Sequence, residues 1–317
     1  MRYACAAFLL AICLSAGHVS AQIQTPRAVT EHLERGNKKL LQGDLDGAIF
    51  ELSRAIDLSL PLDRNRSAFR TPRSNSFINP GDDATGITLI DPVIAYAYTS
   101  RGIARYRRGD LTSAMLDWDR AITINPGLAI AYLNRGCGHY AEGDNATALN
   151  DWSRALKINP RMADAYSNRG ALLQDMGKTE EALADLNRAI ELDPKNPNPY
   201  VHRGHAWIDK LDAQRAIADF DKALALDPTM AWAYQGRGAA KMFQSNFDSA
   251  ISDFSQALEL DPTIINAHMN RGLAQLLQGK DNEAQKDFDQ AMILRPDIKS
   301  ELSRRIKVAE AIRAAKH

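Results

Sequence analysis

Three cysteines in 317 residues are too few to staple a fold. Cys5 and Cys13 both fall before Gln22, in the N-terminal apolar stretch, so Cys137 stands alone afterwards and no intramolecular disulfide can form there. Neither sign of charge is in excess, with 39 Lys plus Arg against 39 Asp plus Glu. A nucleic-acid binder usually needs a basic stripe, so no nucleic-acid partner is expected. Beyond the N terminus no apolar run reaches bilayer length, so no membrane span is expected in the mature chain. Phosphate loops, nucleophile elbows and zinc-protease helices are missing as well. The chain therefore reads as no enzyme, with no cofactor.

The one apolar run lies at the start. Arg2 precedes Ala4 to Gly17, and Val19-Ser20-Ala21 supplies small residues before Gln22. Residues 1–21 read as a secretory signal peptide. Ile12 is too large for the position before a lipid-attached cysteine, which sets Cys13 aside.

What is abundant is repetition. Arg-Gly pairs stand at Gly102, Gly136, Gly170, Gly204, Gly238 and Gly272, with one constant spacing between neighbours. An earlier copy at Arg35-Gly36 lies just short of a double period before Gly102. A fixed period in this range marks a stacked repeat array, one quasi-linear body however long it grows. The division that follows is a polar lead at 22–28, a first repeat at 29–62, an irregular insertion at 63–94, and six contiguous repeats. These run 95–128, 129–162, 163–196, 197–230, 231–264 and 265–298, and residues 299–317 form a capping helix. The insertion carries Pro72, Pro80 and Pro92 and the turn pair Pro80-Gly81, and no apolar stripe runs through it. It has no His or Cys, so it is a poor place for an enzyme's site.

Each repeat divides into two helices. In the copy at 129–162, Ile130, Leu133, Cys137 and Tyr140 share one helical face. Gly143 ends that helix, Asp144 opens the next turn, and Asn159-Pro160 stops the second helix. Gly136 and Ala148 have counterparts in all seven copies, and the large residues Trp118, Trp152, Leu186, Phe220, Phe254 and Phe288 fill the space beside them. Glycine within a helix costs about 1 kcal/mol against alanine. Its return in every first helix makes sense where two backbones must approach.

The order Tyr132, Gly136, Ala148, Trp152, Ala155, Pro160 within a single period resembles the tetratricopeptide repeat family. The resemblance implies an all-α fold, a right-handed α-solenoid of stacked antiparallel helix pairs. It also implies a concave groove, lined by first helices, that binds peptides or partner proteins. By the family's register the groove takes in Tyr96, Ile103, Tyr106, Ile130, Leu133, Asn134, Tyr140, Asn168, Val201, His205, Ile208, Trp232, Met242, Phe243 and Asn270. Asn134, Asn168 and Asn270 resemble the asparagine ladder of the O-linked N-acetylglucosamine transferase superhelix. The clamp that chaperone-binding members use for acidic C termini is not evident, since Leu133, Cys137, Ser167 and Ala171 are uncharged. A signal peptide before an array without disulfides points to export, with a periplasm preferred and secretion possible.

The chain departs from the family before the glycine, where leucine is common. Arg35, Arg101, Arg135, Arg169, Arg203, Arg237 and Arg271 stand there. At a constant distance further on come Glu51, Asp117, Asp151, Asp185, Asp219, Asp253 and Asp287. Such spacing predicts a charged ladder, in which Arg169 pairs with Asp185 or with Asp151 of the repeat before.

Other motifs are weaker. His202, His205 and Asp209 lie near one helical face with ligand chemistry that suits zinc or copper, and they would serve a small-ligand or metal carrier. Groove geometry explains the same three residues without a metal. Arg108-Gly109-Asp110 spells an adhesion tripeptide but falls on an inter-helix turn. Ile298, Leu302, Ile306, Ala309 and Ile312 form the stripe of the capping helix.

Overall fold

A computed structural model describes residues 27–59 and 92–315. Among these residues the chain is helical, with no strand. Helix α1 spans Arg27–Gln42, α2 Leu45–Ser59, α3 Pro92–Arg107, α4 Leu111–Ile124, α5 Ala129–Glu142 and α6 Asn145–Ile158. Then come α7 at Ala163–Asp175, α8 at Thr179–Leu192, α9 at Asn198–Asp209, α10 at Ala213–Leu226, α11 at Ala231–Phe243 and α12 at Phe247–Leu260. Helices α13 (Ile265–Leu277) and α14 (Asp281–Leu294), a short 3₁₀ turn (Pro296–Ile298) and α15 (Lys299–Ala314) complete the chain. The segment 1–21 and the greater part of the insertion lie outside the described residues. Helix α1 starts within the stretch read as a polar lead. Helix α3 starts at Pro92, within the stretch read as insertion, where a first-turn proline gives up an N–H that has no intrahelical partner anyway.

The chain forms two compact units, 1–165 and 166–317, divided inside α7. In the first unit α1 pairs with α2, α3 with α4 and α5 with α6, and each pair packs on the next. First helices also touch first helices, α1 against α3 and α3 against α5. The second unit repeats the pattern, with α9 against α11 and α11 against α13. Helix α15 packs on α13.

Local chemistry sets the joints. Gly143 ends α5 at φ 86, and Gly43, Gly109, Gly177 and Gly279 take the same left-handed turn. Leu211 and Ser245 hold it with side chains, at φ 58 and φ 57. Asp144 then caps α6, accepting from the Thr147 N–H at 3.1 Å. Between repeats an Asn or Asp side chain folds the chain over: Asn159 accepts from the Arg161 N–H at 3.0 Å and Asp227 from the Thr229 N–H at 2.9 Å. Arg108-Gly109-Asp110 is one such inter-helix turn, with Arg108 held by Asp46 at 2.9 Å and Asp110 capping α4.

The core runs between the two helices of each pair. A Cβ on the recurring glycine of any first helix would sit 2.5–2.8 Å from the large side chain of its partner helix. The Phe220 ring is gripped from both sides, since a Cβ on Gly204 would lie 2.8 Å from it and one on Gly236 2.4 Å. Trp118, Trp152, Phe220 and Phe254 are fully buried as a result. The Trp152 indole donates to the Leu133 carbonyl at 3.2 Å.

Candidate functional site

First helices that lie side by side bring the same register position together from one repeat to the next. At the start of α3 and α5 this joins Tyr96 to Ile130. With Leu128, Ile158, Met162 and Asp164 they line a cleft of about 420 Å³ in the first unit. Further along the same helices Ile103, Leu133 and Asn134 are buried. Asn134 donates to the Ile130 carbonyl at 2.9 Å, and its Oδ1 has no partner among the described residues. Cys137 is buried rather than presented on a surface. Tyr106 and Tyr140 are half-buried, with ring centroids 5.8 Å and 6.0 Å from those of Trp118 and Trp152.

In the second unit Val201 is buried, and Asn168, His205, Ile208 and Met242 are partly covered. Trp232 and Phe243 are the exposed members, at 43% and 58%. The His205 ring meets Phe220 edge-on at 5.2 Å, and its burial pushes the imidazole down to about 4. Asn270 accepts a hydrogen bond from Arg305 of α15 at 2.9 Å. Among the described residues no three His, Cys, Asp or Glu side chains converge as a metal requires, and His202, His205 and Asp209 form no such set. Asp209 instead accepts from the Gln174 amide at 2.9 Å. No helix among the described residues is long and apolar enough to cross a membrane.

The arginine before each glycine projects from the first helix onto the second helix of its own repeat. Arg135 grips Asp151 with Nε at 2.8 Å and Nη2 at 2.7 Å. The same two-pronged contact joins Arg101 to Asp117, Arg169 to Asp185, Arg203 to Asp219, Arg237 to Asp253 and Arg271 to Asp287. In the first repeat Arg35 reaches Glu51 with Nε alone, at 3.1 Å. These aspartates are buried, whereas the arginines keep part of their surface in solvent. The third prong, Nη1, crosses to the preceding repeat and donates to Ser53, Asp119, Asn187, Asp221 or Ser255 from Arg101, Arg135, Arg203, Arg237 and Arg271 respectively. Each of these arginines thus ties two repeats together. Asp151 and then Asp119 raise the Arg135 guanidinium above its ordinary range.

Sequence reasoning missed the third member of each rung. Three residues before the arginine stands an aromatic ring: Tyr98, Tyr132, Tyr166, Tyr200 and Tyr234 lie 5.2–5.8 Å from the guanidinium. In the first and last repeats histidine takes that place. His32 Nδ1 lies 2.6 Å from Glu51, and His268 Nδ1 lies 3.1 Å from Asp287. The His32 contact, followed by Arg35, holds the Glu51 carboxyl below its usual range. The three-residue spacing was visible in the sequence, and it puts both side chains on one helical face.

Models of the tetratricopeptide repeat match residues 163–196 and 236–297, and a TPR repeat model matches 139–177. The chain is a tetratricopeptide repeat protein. The glycine–aromatic pairs and helix pairs described above are the repeat's own packing. Among solved structures, a tetratricopeptide repeat protein from Parabacteroides merdae is 19% identical with a TM-score of 0.57, covering 89% of this chain and 99% of that one. A chain of the APC/C hetero-tetramer Cut9–Hcn1 aligns at 16% identity and TM-score 0.62, over 88% of this chain and 55% of that one. PilF of Pseudomonas aeruginosa aligns at 19% identity and TM-score 0.57, over 64% and 92%. At such identities the likeness concerns the tetratricopeptide fold alone. No curated protein matches the chain.

Proposed function

We propose that this tetratricopeptide protein is an exported, non-catalytic scaffold whose first helices hold an extended segment of a partner protein. The observation that carries the reading is the cleft of about 420 Å³ at Tyr96, Ile130 and Met162, with Arg161 and Asp164 beside its apolar wall. Its volume falls within the roughly 300–1,000 Å³ of binding pockets, and polar and apolar groups share its lining. The wall is built from packed helices and from the turns at 127–128 and 159–162, which the Asn125 and Asn159 side chains hold, so little ordering has to accompany binding. The partner supplies an apolar side chain for the slot and backbone or polar groups for its rim.

Peptides selected from a random library on the full chain test the reading. Tyr96→Ala and Met162→Ala should each weaken the selected peptides about tenfold, a loss of roughly 1.4 kcal/mol, with helicity unchanged. Undiminished binding to both variants would remove the cleft from the function. Export rests on residues 1–21 and is tested by the N terminus of protein recovered from the cell envelope. Gln22 is the expected first residue, and a chain still starting at Met1 would count against it.

A further inference from the structure

A second cleft, of about 350 Å³, lies where α15 meets the first helices of the last two repeats. Met242, Leu273, Leu277, Val308 and Ile312 wall it, and Arg304 and Arg305 stand beside them. Helix α15 buries Leu302 and Ala309 against the core around α13. That much shields the end of an array, and a shield needs only a polar outer face. Instead Val308 and Ile312 remain 55% and 45% exposed next to an apolar slot. The helix is also locally basic: within it Lys299, Arg304, Arg305, Lys307 and Arg313 outnumber Glu301 and Glu310, in a chain whose net charge is zero. Arg305 is spent on Asn270 and Arg313 on Asp281. Arg304 makes no ion pair among the described residues.

We propose that this cleft docks an acidic amphipathic segment of a partner protein, with an apolar side chain in the slot and a carboxylate on Arg304. Charge complementarity selects the acid, because a desolvated carboxylate needs a cation and Arg304 stands uncommitted at the rim. The recess selects a side chain over a bilayer, since a flat lipid surface cannot follow a slot between helices. The inference shares with the proposed function the idea of a peptide guest and a wall of first helices, with Met242 among the groove positions. No residue of the Tyr96 cleft lines it and the partner chemistry is different, so each can fail without the other.

The test uses the full chain and a short fluorescein-labelled helical peptide with leucines on one face and glutamates flanking them. A twin peptide carries glutamine for every glutamate. Saturable anisotropy is expected for the acidic peptide, with the twin at least about tenfold weaker. Arg304→Glu and Ile312→Asp, both on the surface of α15, should each weaken it about tenfold, whereas Tyr96→Ala should leave it unchanged. Equal binding of the two peptides, or full binding by Arg304→Glu, overturns the proposal. Two other outcomes overturn it in favour of a different occupant. Binding to phosphatidylglycerol vesicles that Arg304→Glu abolishes, without peptide binding, assigns the face to a membrane. A concentration-dependent dimer in sedimentation that Ile312→Asp dissolves assigns it to a second copy of the chain.

Discussion

Arg135 offers a controlled comparison within one side chain. Its guanidinium donates to Asp151 at 2.7 Å and to Asp119 at 2.8 Å, yet Asp151 is 2% exposed and Asp119 54%. The distances are nearly the same, whereas solvent and the number of prongs, two on Asp151 and one on Asp119, are not. Breaking a buried pair from one side costs about 3–5 kcal/mol, chiefly because the remaining charge is stranded. Arg135 keeps 22% of its surface and would keep Asp119, so Asp151→Ala belongs at the lower end, about 3 kcal/mol. Asp119→Ala removes an exposed partner and should cost about 0–1 kcal/mol. Urea unfolding followed by tryptophan fluorescence reads both, and Trp152 sits next to Asp151 in sequence. Repeat arrays can unfold in stages, so several probes must coincide before a single free energy is quoted. At 1 M salt the Debye length falls to about 3 Å and the Asp119 contribution should vanish, whereas the Asp151 contribution persists. Equal losses for the two variants, or a salt effect on Asp151→Ala as large as on Asp119→Ala, would refute the burial argument.

Other perturbations probe the packing and the joints. Gly236→Ala should destabilise by about 1–3 kcal/mol despite the better helix former, because its Cβ would stand 2.4 Å from the Phe220 ring; thermal unfolding checks it. Leu211→Gly should stabilise by about 0.5–1 kcal/mol in urea unfolding, since Leu211 holds φ 58 and is 76% exposed. The Thr147 hydroxyl and N–H hold the Asp144 carboxyl below its ordinary 3.8. A depressed folded pKa means that the cap's contribution is present above that value and fades as pH falls through the lower one. A carboxyl titration followed by NMR should place the Asp144 midpoint below 3.8, and Thr147→Val should move it up.

The repeat was legible because its contacts are short in sequence. Gly136 meets Trp152 within one helix pair, so the fixed interval between them in the sequence already names a contact. The arginine register could be read in the same way, but its full partnership could not. Arg135 reaches forward to Asp151 and also back to Asp119, and the second contact depends on how successive pairs stack. The groove was read least well, for a physical reason. Register places Leu133, Ile103 and Val201 on one face with Trp232 and Phe243, but the first three are buried and the last two stand open. A helical face seen in sequence does not say which of its residues the next helix will cover. The contact that α15 makes with the groove was likewise hidden, because Arg305 meets Asn270 from a helix packed on α13.

The backward reach of the arginines makes the seams of the array unequal. Arg135 and Arg237 cross to a carboxylate, on Asp119 and Asp221, whereas Arg101, Arg203 and Arg271 cross to neutral oxygens on Ser53, Asn187 and Ser255. Under tension from its two ends the protein should not stretch evenly like a spring. Within each compact unit it should yield at the neutral seams before those that Arg135 and Arg237 close with a carboxylate.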